Sequence, residues 1–221
     1  MGLVLLNTPL GERRLRHLWA AAEVTVCADG AADRLLCACP DLSPDVVVGD
    51  FDSATPETLE AYRRRGVRVR DLAADQDSTD LEKAFAEARA LGCGRVVAAG
   101  QFAGVGGRLD HTFGIANTLH ASAPLEAAVI GDDSLMLVLG PGEHELLVPG
   151  AADAPHCGLV PLGSPCERIS TEGLRWDMSD ARMEFGGLVS VCNRVDPRAG
   201  GRVRVRASHP VLWTCSLRPA G

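Results

Sequence analysis

Up to about residue 125 the chain alternates short apolar runs with amphipathic stretches of helical period. The runs "GLVLLN", "VTVCADG", "DVVVGD", "VRVRD" and "RVVAAG" read as strands. Between them lie "ERRLRHLWAAA", "AADRLLCA", "TPETLEAYRRRG" and "STDLEKAFAEARALG", where apolar residues recur every three or four positions. In the last of these Leu81, Phe85, Ala88 and Leu91 share one face. Strand and helix in alternation predict a mostly parallel sheet with helices on both faces.

From Leu125 onward the pattern changes. "LEAAVIG", "SLMLVLG", "EHELLVPG", "CGLVPLG", "RVRVRASH" and "VLWTCSL" are short β-like runs separated by Gly and Pro, as in "GPGEH". Little here keeps helical period, so the pattern predicts an all-β sandwich or barrel. The predicted fold is therefore an α/β domain over 1–140 and a β-sandwich over 141–221, the boundary lying near Gly140 to Gly142. A strand or two before that boundary remains available to the first sheet.

Composition narrows the partners. Of 221 residues, 46% are hydrophobic and 23% charged, which suits a soluble domain with a real core. Net charge is -7 and no basic block follows a phosphate backbone, which argues against nucleic acid. No apolar run approaches the roughly 20 residues that a membrane helix needs. "MGLVLLNTPLGERRLRHLW" lacks the basic start and long apolar stretch of a signal peptide. The eight cysteines include no CxxC pair and several sit inside apolar runs, so we expect reduced, structural thiols in a cytoplasmic protein.

Three stretches carry candidate chemistry, and each follows a predicted strand. "PDVVVGDFDS" ends in Asp50 and Asp52, which alternation along an extended chain would turn to the same side. Two hard oxygen ligands at one point suit Mg²⁺. A turn at Asp50 with a helix cap at Asp52 or Ser53 accounts for the same residues. "DQDSTDLEKAF" crowds Asp75, Asp77 and Asp80 around a Thr79–Glu82 capping box, at a helix start whose free N–H groups can meet phosphate oxygens. "GQFAGVGGRLDHTFG" joins a glycine-rich loop to Arg108 and Asp110, though it is neither a Walker A loop nor a clean dinucleotide fingerprint. Ligands of open α/β sheets bind beyond the carboxyl ends of the strands. Acids, glycines and one arginine gathered there imply metal-assisted transfer of a phosphate-bearing group.

"ADGAADRL", "PDVVVGDFDS", "DQDSTDLEKA" and "GGRLDH", in that order, resemble thiamine pyrophosphokinase. "CGLVPLGSPCERISTEGLRWDMSD", "FGGLVSVCN" and "HPVLWTCSL" resemble the C-terminal domain of the eukaryotic, particularly the animal, enzyme. The resemblance implies an α/β nucleotide domain, a C-terminal β-sandwich, and Mg²⁺-dependent transfer of pyrophosphate from ATP to thiamine, giving AMP. It also implies a homodimer with thiamine held between the nucleotide domain of one subunit and the β-domain of the other. Carried onto this chain, it places Asp50, Asp52 and Asp80 at the metal, and Asp77, Arg108 and Asp110 with them in the catalytic set. Asp29, Gly30, Ser53, Ser78, Thr79, Gly106 and Gly107 fall on the nucleotide side. Gln76, Asp80, Trp176, Ser190, Asn193 and Trp213 fall on the thiamine side, where an aromatic face suits a cationic ring, though core packing of the last strand accounts equally for Trp213.

Departures from the family pattern are Ala31 and Asp33 in "ADGAADRL", Ser78 in "DQDSTD", and Gln101 and Phe102 in the glycine loop. A kinase moving only the γ-phosphate, a metal-dependent nucleotide hydrolase, and a non-catalytic thiamine or nucleotide sensor are the alternatives that the acids themselves leave open.

Overall fold

The runs of valine and leucine form a parallel sheet because both faces of its central strands are covered. The computed structural model of the chain describes residues 1–102, 108–148 and 150–217. Strand β1 (Gly2–Leu5), entirely buried, pairs in parallel with β2 (Val24–Ala28) on one side and β5 (Arg95–Ala99) on the other. Beyond β2 lie β3 (Val46–Gly49) and then β4 (Arg68–Asp71); beside β5 lies β6 (Glu126–Ile130). The order β6-β5-β1-β2-β3-β4 means that the chain winds outward from β1, then crosses back to β5. β4 is the exposed edge, and its arginines discourage pairing with another strand.

The crossovers are α1 (Glu12–Ala20), α2 (Ala31–Ala38), α3 (Pro56–Arg64), α4 (Asp80–Ala90) and α5 (Leu109–Ala121). Helix α3 starts at Pro56, but its cap is Thr55, which accepts the N–H of Thr58, and not Asp52 or Ser53 as expected. Helix α4 carries the full capping box of Thr79 and Glu82 and lies across β1, β2 and β3. That crossing holds the first turn of α4 over the ends of those strands. α5 was not among the predicted helices. Its buried positions are only Ala116, Thr118 and Leu119, while Leu109 and Phe113 are exposed, so no apolar stripe marks it. β6 came from the half read as β-rich, and it is the strand taken up by the first sheet.

The chain divides into two compact units, Met1–Asp132 and a second beginning at Asp133. In the second, β7 (Ser134–Leu139), β9 (His156–Pro161), β12 (Ser190–Arg194) and β14 (Val211–Ser216) pair antiparallel in the order β12-β9-β14-β7. A 4-stranded sheet has the order β11-β10-β13-β8, from β8 (Gly142–Leu147), β10 (Cys166–Glu172), β11 (Ala181–Met183) and β13 (Arg202–Ala207). Gly140 and Pro141 thus fall between β7 and β8, and Gly142 opens β8, all inside this unit. β13 alternates strictly, arginines outward and Val203, Val205 and Ala207 inward. Those inward residues share one core with Leu159, Ile169, Met183 and Trp213, which is the predicted sandwich. The cysteines are free thiols, and among the described residues no helix is long and apolar enough to cross a membrane.

Candidate active site

The ends of β2 and β3 meet through left-handed backbone rather than through the pleat. β3 stops at Gly49, and Phe51 takes a φ of 59°. Its ring turns toward the apolar cluster of the first unit, which leaves Asp50 and Asp52 on the open side. The two carboxylates do come together, but through a left-handed residue and not through the alternation of an extended strand. Asp29, just past β2, also has a positive φ of 44°. Such conformations cost an L-residue of order 1–3 kcal/mol and persist only where the surroundings enforce them.

What enforces them is a set of main-chain hydrogen bonds. The Asp29 carboxylate, in a residue only 1% exposed, accepts the N–H groups of Ser53 at 3.2 Å and Ala54 at 3.1 Å. The acid at the end of β2 thus holds the loop after β3. Ser53 donates its hydroxyl to Asp52 at 2.8 Å, and the Asp52 N–H donates to Asp50 at 3.4 Å. Gly30 permits this packing, since a Cβ there would lie 2.4 Å from Asn7 Nδ2 and 3.0 Å from Ser53 Cβ. Carboxylate oxygens of Asp29, Asp50 and Asp52 come within 4.8 Å of one another. Burial raises the Asp29 carboxyl above its usual range, against the pull of its N–H donors.

Helix α4 supplies the next layer. Asp75 accepts the N–H groups of Asp77 at 3.1 Å and Ser78 at 3.2 Å and the Ser78 hydroxyl, which pulls its carboxyl below the usual range. Gln76 donates to the carbonyl of Ala73 at 2.9 Å, and Thr79 is occupied in the capping box. Gln76 and Asp77 lie exposed at the rim. Asp80 is pushed up to about 6, by burial first and then by Asp29 and Asp50, with Lys83 opposing. Lys83 is the residue that sequence reasoning passed over. Its side chain is 2% exposed, with Nζ 3.6 Å from Asp50 and 4.0 Å from Asp80.

Arg108 and Asp110 pair with each other at the start of α5, the guanidinium 2.5 Å from the carboxylate. Both are exposed, and the arginine holds the Asp110 carboxyl low. Gly106 and Gly107 lie outside the described residues. An apolar cavity of about 500 Å³ opens beside the ends of β1 and β5, lined by Leu6, Thr8, Pro9, Leu10, Arg34 and Leu35.

In the second unit, Trp176 is 53% exposed and the Arg175 guanidinium stands 4.8 Å from its ring. Buried Asn193 brackets this residue: its amide donates to the Trp176 carbonyl at 2.8 Å and accepts the Trp176 N–H at 3.2 Å. A further bond at 3.3 Å reaches the hydroxyl of Ser190. Trp176, Met178, Leu188, Ser190 and Asn193 line a shallow hollow of about 330 Å³. Trp213 is elsewhere, 1% exposed within the sandwich core, where no ligand reaches it without displacing packed side chains.

Comparison with known proteins gives the same answer for both units. The family described as "Thiamin pyrophosphokinase, catalytic domain" matches residues 15–130, and "Thiamin pyrophosphokinase, vitamin B1 binding domain" matches residues 143–212. Thiamine pyrophosphokinase 1 of Oryza sativa subsp. japonica is 35% identical over 236 residues, covering 98% of this chain and 87% of its own. The Caenorhabditis elegans protein is 30% identical over 210 residues, covering 92% and 83%. Among solved structures, thiamin pyrophosphokinase from Candida albicans superposes with a TM-score of 0.82 at 21% identity, covering 98% of this chain and 88% of that one. The Bacillus subtilis enzyme gives 0.79 at 17%, with 98% of each chain covered. At such identities these structures speak for the fold, while the family profiles and full-length relatives carry the assignment. This chain belongs to the thiamine pyrophosphokinase family.

Proposed function

We infer that the chain transfers the pyrophosphoryl group of ATP to the hydroxyl of thiamine, giving thiamine diphosphate and AMP. The observation that carries this reading is the set of acids, Asp29, Asp50 and Asp52 with Asp80 beside them, at the carboxyl ends of strands in a chain that matches the family across both units. The hydroxyl oxygen bonds to the β-phosphorus, the bridge to the α-phosphorus breaks, and AMP leaves with the electron pair. Such chemistry asks the protein for alignment and for positive charge on the phosphate oxygens.

The residues present fit a hard divalent cation. Carboxylate oxygens of Asp29, Asp50 and Asp52 lie within 4.8 Å of one another, with one buried ammonium 3.6 Å from Asp50. Asp50 and Asp52, with Asp29 or Asp80, would hold Mg²⁺, which when bound would neutralise triphosphate charge. The protein's own groups do the rest. Arg108 and main-chain N–H groups near the start of α5 face the phosphates in this reading. Asp77 or Asp80 would take the hydroxyl proton, the first from the exposed rim and the second from beside the acid cluster. The apolar cavity beside β1 offers room for the nucleoside.

Thiamine, in the same proposal, meets the hollow at Trp176 and Ser190 in a homodimer, opposite the nucleotide domain of the partner copy. Exposed Leu188 and Val191, which line the hollow with Trp176, support a covered face there. Free thiols throughout the chain support a cytoplasmic home. Incubation with ATP, Mg²⁺ and thiamine, read for nucleotide products, tests the reading. AMP and thiamine diphosphate in equal amounts are expected. ADP would indicate a γ-phosphate kinase or hydrolase, and binding without turnover a sensor.

A further inference from the structure

Lys83 is the only lysine in the sequence; the other members of the 22 Lys and Arg are all arginine. Arginines occupy the surface of this chain, in pairs such as Arg16–Asp41, Arg95–Glu126 and Arg204–Glu172. The lone ammonium belongs to a side chain 2% exposed on the buried side of α4. It lies 3.6 Å from Asp50 at the end of β3 and 4.0 Å from Asp80 one helical turn back. Lysine carries a compact point charge that can stand between two carboxylates from different elements, whereas guanidinium is planar and prefers one carboxylate edge-on. A buried charge without partners would be costly, so the ammonium and the acids depend on each other.

We propose that Lys83 is a positioning residue that serves as an internal counter-ion of the acid cluster and weakens divalent-cation binding by competing for Asp50. Without a divalent cation, the ammonium keeps Asp50 and Asp80 from driving β3 and α4 apart. A divalent cation would meet a carboxylate already engaged and a like charge nearby, so it would bind loosely in the absence of the anionic triphosphate. This inference rests on the reading of Asp50 as a cation ligand.

The single lysine makes the test direct. Chain labelled with ¹⁵N,¹³C-lysine gives one side-chain signal, and Mg²⁺ added to the nucleotide-free protein should shift it saturably. In Lys83→Met, Mn²⁺ binding measured by electron paramagnetic resonance without nucleotide should be at least about tenfold tighter, equivalent to ~1.4 kcal/mol. The melting temperature in chelator should fall, and the gap between chelator and Mg²⁺ should widen. A residue that merely filled space would weaken cation binding when removed, so tightening separates the two roles. Lys83→Gln, also uncharged but polar, provides the same comparison if the methionine variant does not fold. Absence of cation binding to the wild-type chain would overturn the cation site and this inference with it. Wild-type binding that the uncharged variants leave unchanged or weaken would overturn the inference alone.

Discussion

Gly49→Ala adds one methyl group at the place where β2 and β3 bring their acids together. A Cβ on Gly49 would lie 2.8 Å from Asp29 Cβ, 3.1 Å from Asp29 Cα and 3.3 Å from Asp29 N. Carbon atoms prefer about 3.5–4.0 Å, so something must move by roughly 0.5 Å or more. Asp29 cannot withdraw freely. Its N–H donates to Val48 at 2.8 Å, and its carboxylate is held by Ser53 and Ala54. Overpacking of this kind costs about 1–3 kcal/mol, and a chain of this size loses about 2–4 °C in Tm for each kcal/mol. Turnover should suffer more than stability, because a misplacement approaching 1 Å at reacting groups costs about 10²-fold. Gly94→Ala is the control, since nothing lies within 4 Å of its added methyl, and it should be neutral or stabilising by about 0.4–1 kcal/mol. Thermal melts and AMP release measured on both variants make the comparison. If Gly49→Ala matched Gly94→Ala in both, the two strand ends would not be packed against each other as tightly as the distances require.

Other substitutions probe the remaining assignments. Asp52→Asn should abolish turnover with ATP and Mg²⁺ while Tm holds or rises, because it removes one of several crowded charges; near-normal activity would sink the cation assignment. Trp213→Ala should cost about 3–5 kcal/mol through the cavity it leaves in the sandwich core. Unchanged Tm with a raised thiamine KM would instead return this tryptophan to the ligand. Asn193→Ala should raise the thiamine KM with kcat nearly constant, since it frees Trp176 from its bracket; an unchanged KM would separate Trp176 from thiamine. Asp80 gives a pH test with a definite sign. Its carboxyl sits at about 6 in the folded chain against an ordinary 3.8, so between about pH 4 and 6 the native state holds more of this proton than the unfolded state. Its contribution to stability therefore falls as pH rises through that window and levels off above it. In chelator, Asp80→Asn should gain on the wild type in Tm from pH 4.5 to 7, and a constant difference would refute the assignment.

The parallel strands were legible because continuous apolar runs such as "DVVVGD" leave few other options, and the start of α4 because its capping box is local. What failed to show was helix α5, whose residues include Gly114 and exposed Phe113, and the strands β10 to β12, where polar side chains on an open face mask the period. The acids were visible, but their partnership was not. Asp29 joins Asp50 and Asp52 only because β2 and β3 are neighbours in the sheet, a fact of topology. Lys83 stood in plain view within "STDLEKAF", and rules of residue preference assign a helical lysine to solvent. The clue available was its solitude in a chain that otherwise uses arginine. Trp176 and Trp213 look alike in sequence, and only burial separates the exposed ring from the core one.

The unfavourable features of the first unit are concentrated in one place. Asp29 and Phe51 hold left-handed backbone, Asp29 is buried as an acid, and Asp80 has its carboxyl raised by burial and then by its acidic neighbours. None of these arises from the packing of the sheet, whose strands and crossing helix α4 are buried by ordinary apolar contacts. The rigid layer of β1, β2, β3 and α4 is therefore what compels the acids together, and a less well packed scaffold would let them separate. Repulsion held in this way is relieved by positive charge, so anything that brings cations to the cluster must also stabilise the fold. At a ligand concentration of 100 Kd the gain is about 2.7 kcal/mol, whatever the ligand's chemistry. The loop after β3, tied to Asp29 by two N–H bonds, should respond first. Hydrogen exchange at Ser53 and Ala54 should slow when Mg²⁺ and ATP are added together, while amides of β13 in the second unit stay unchanged. Equal slowing in both units would mean that the ligands tighten the whole molecule instead of relieving a local charge.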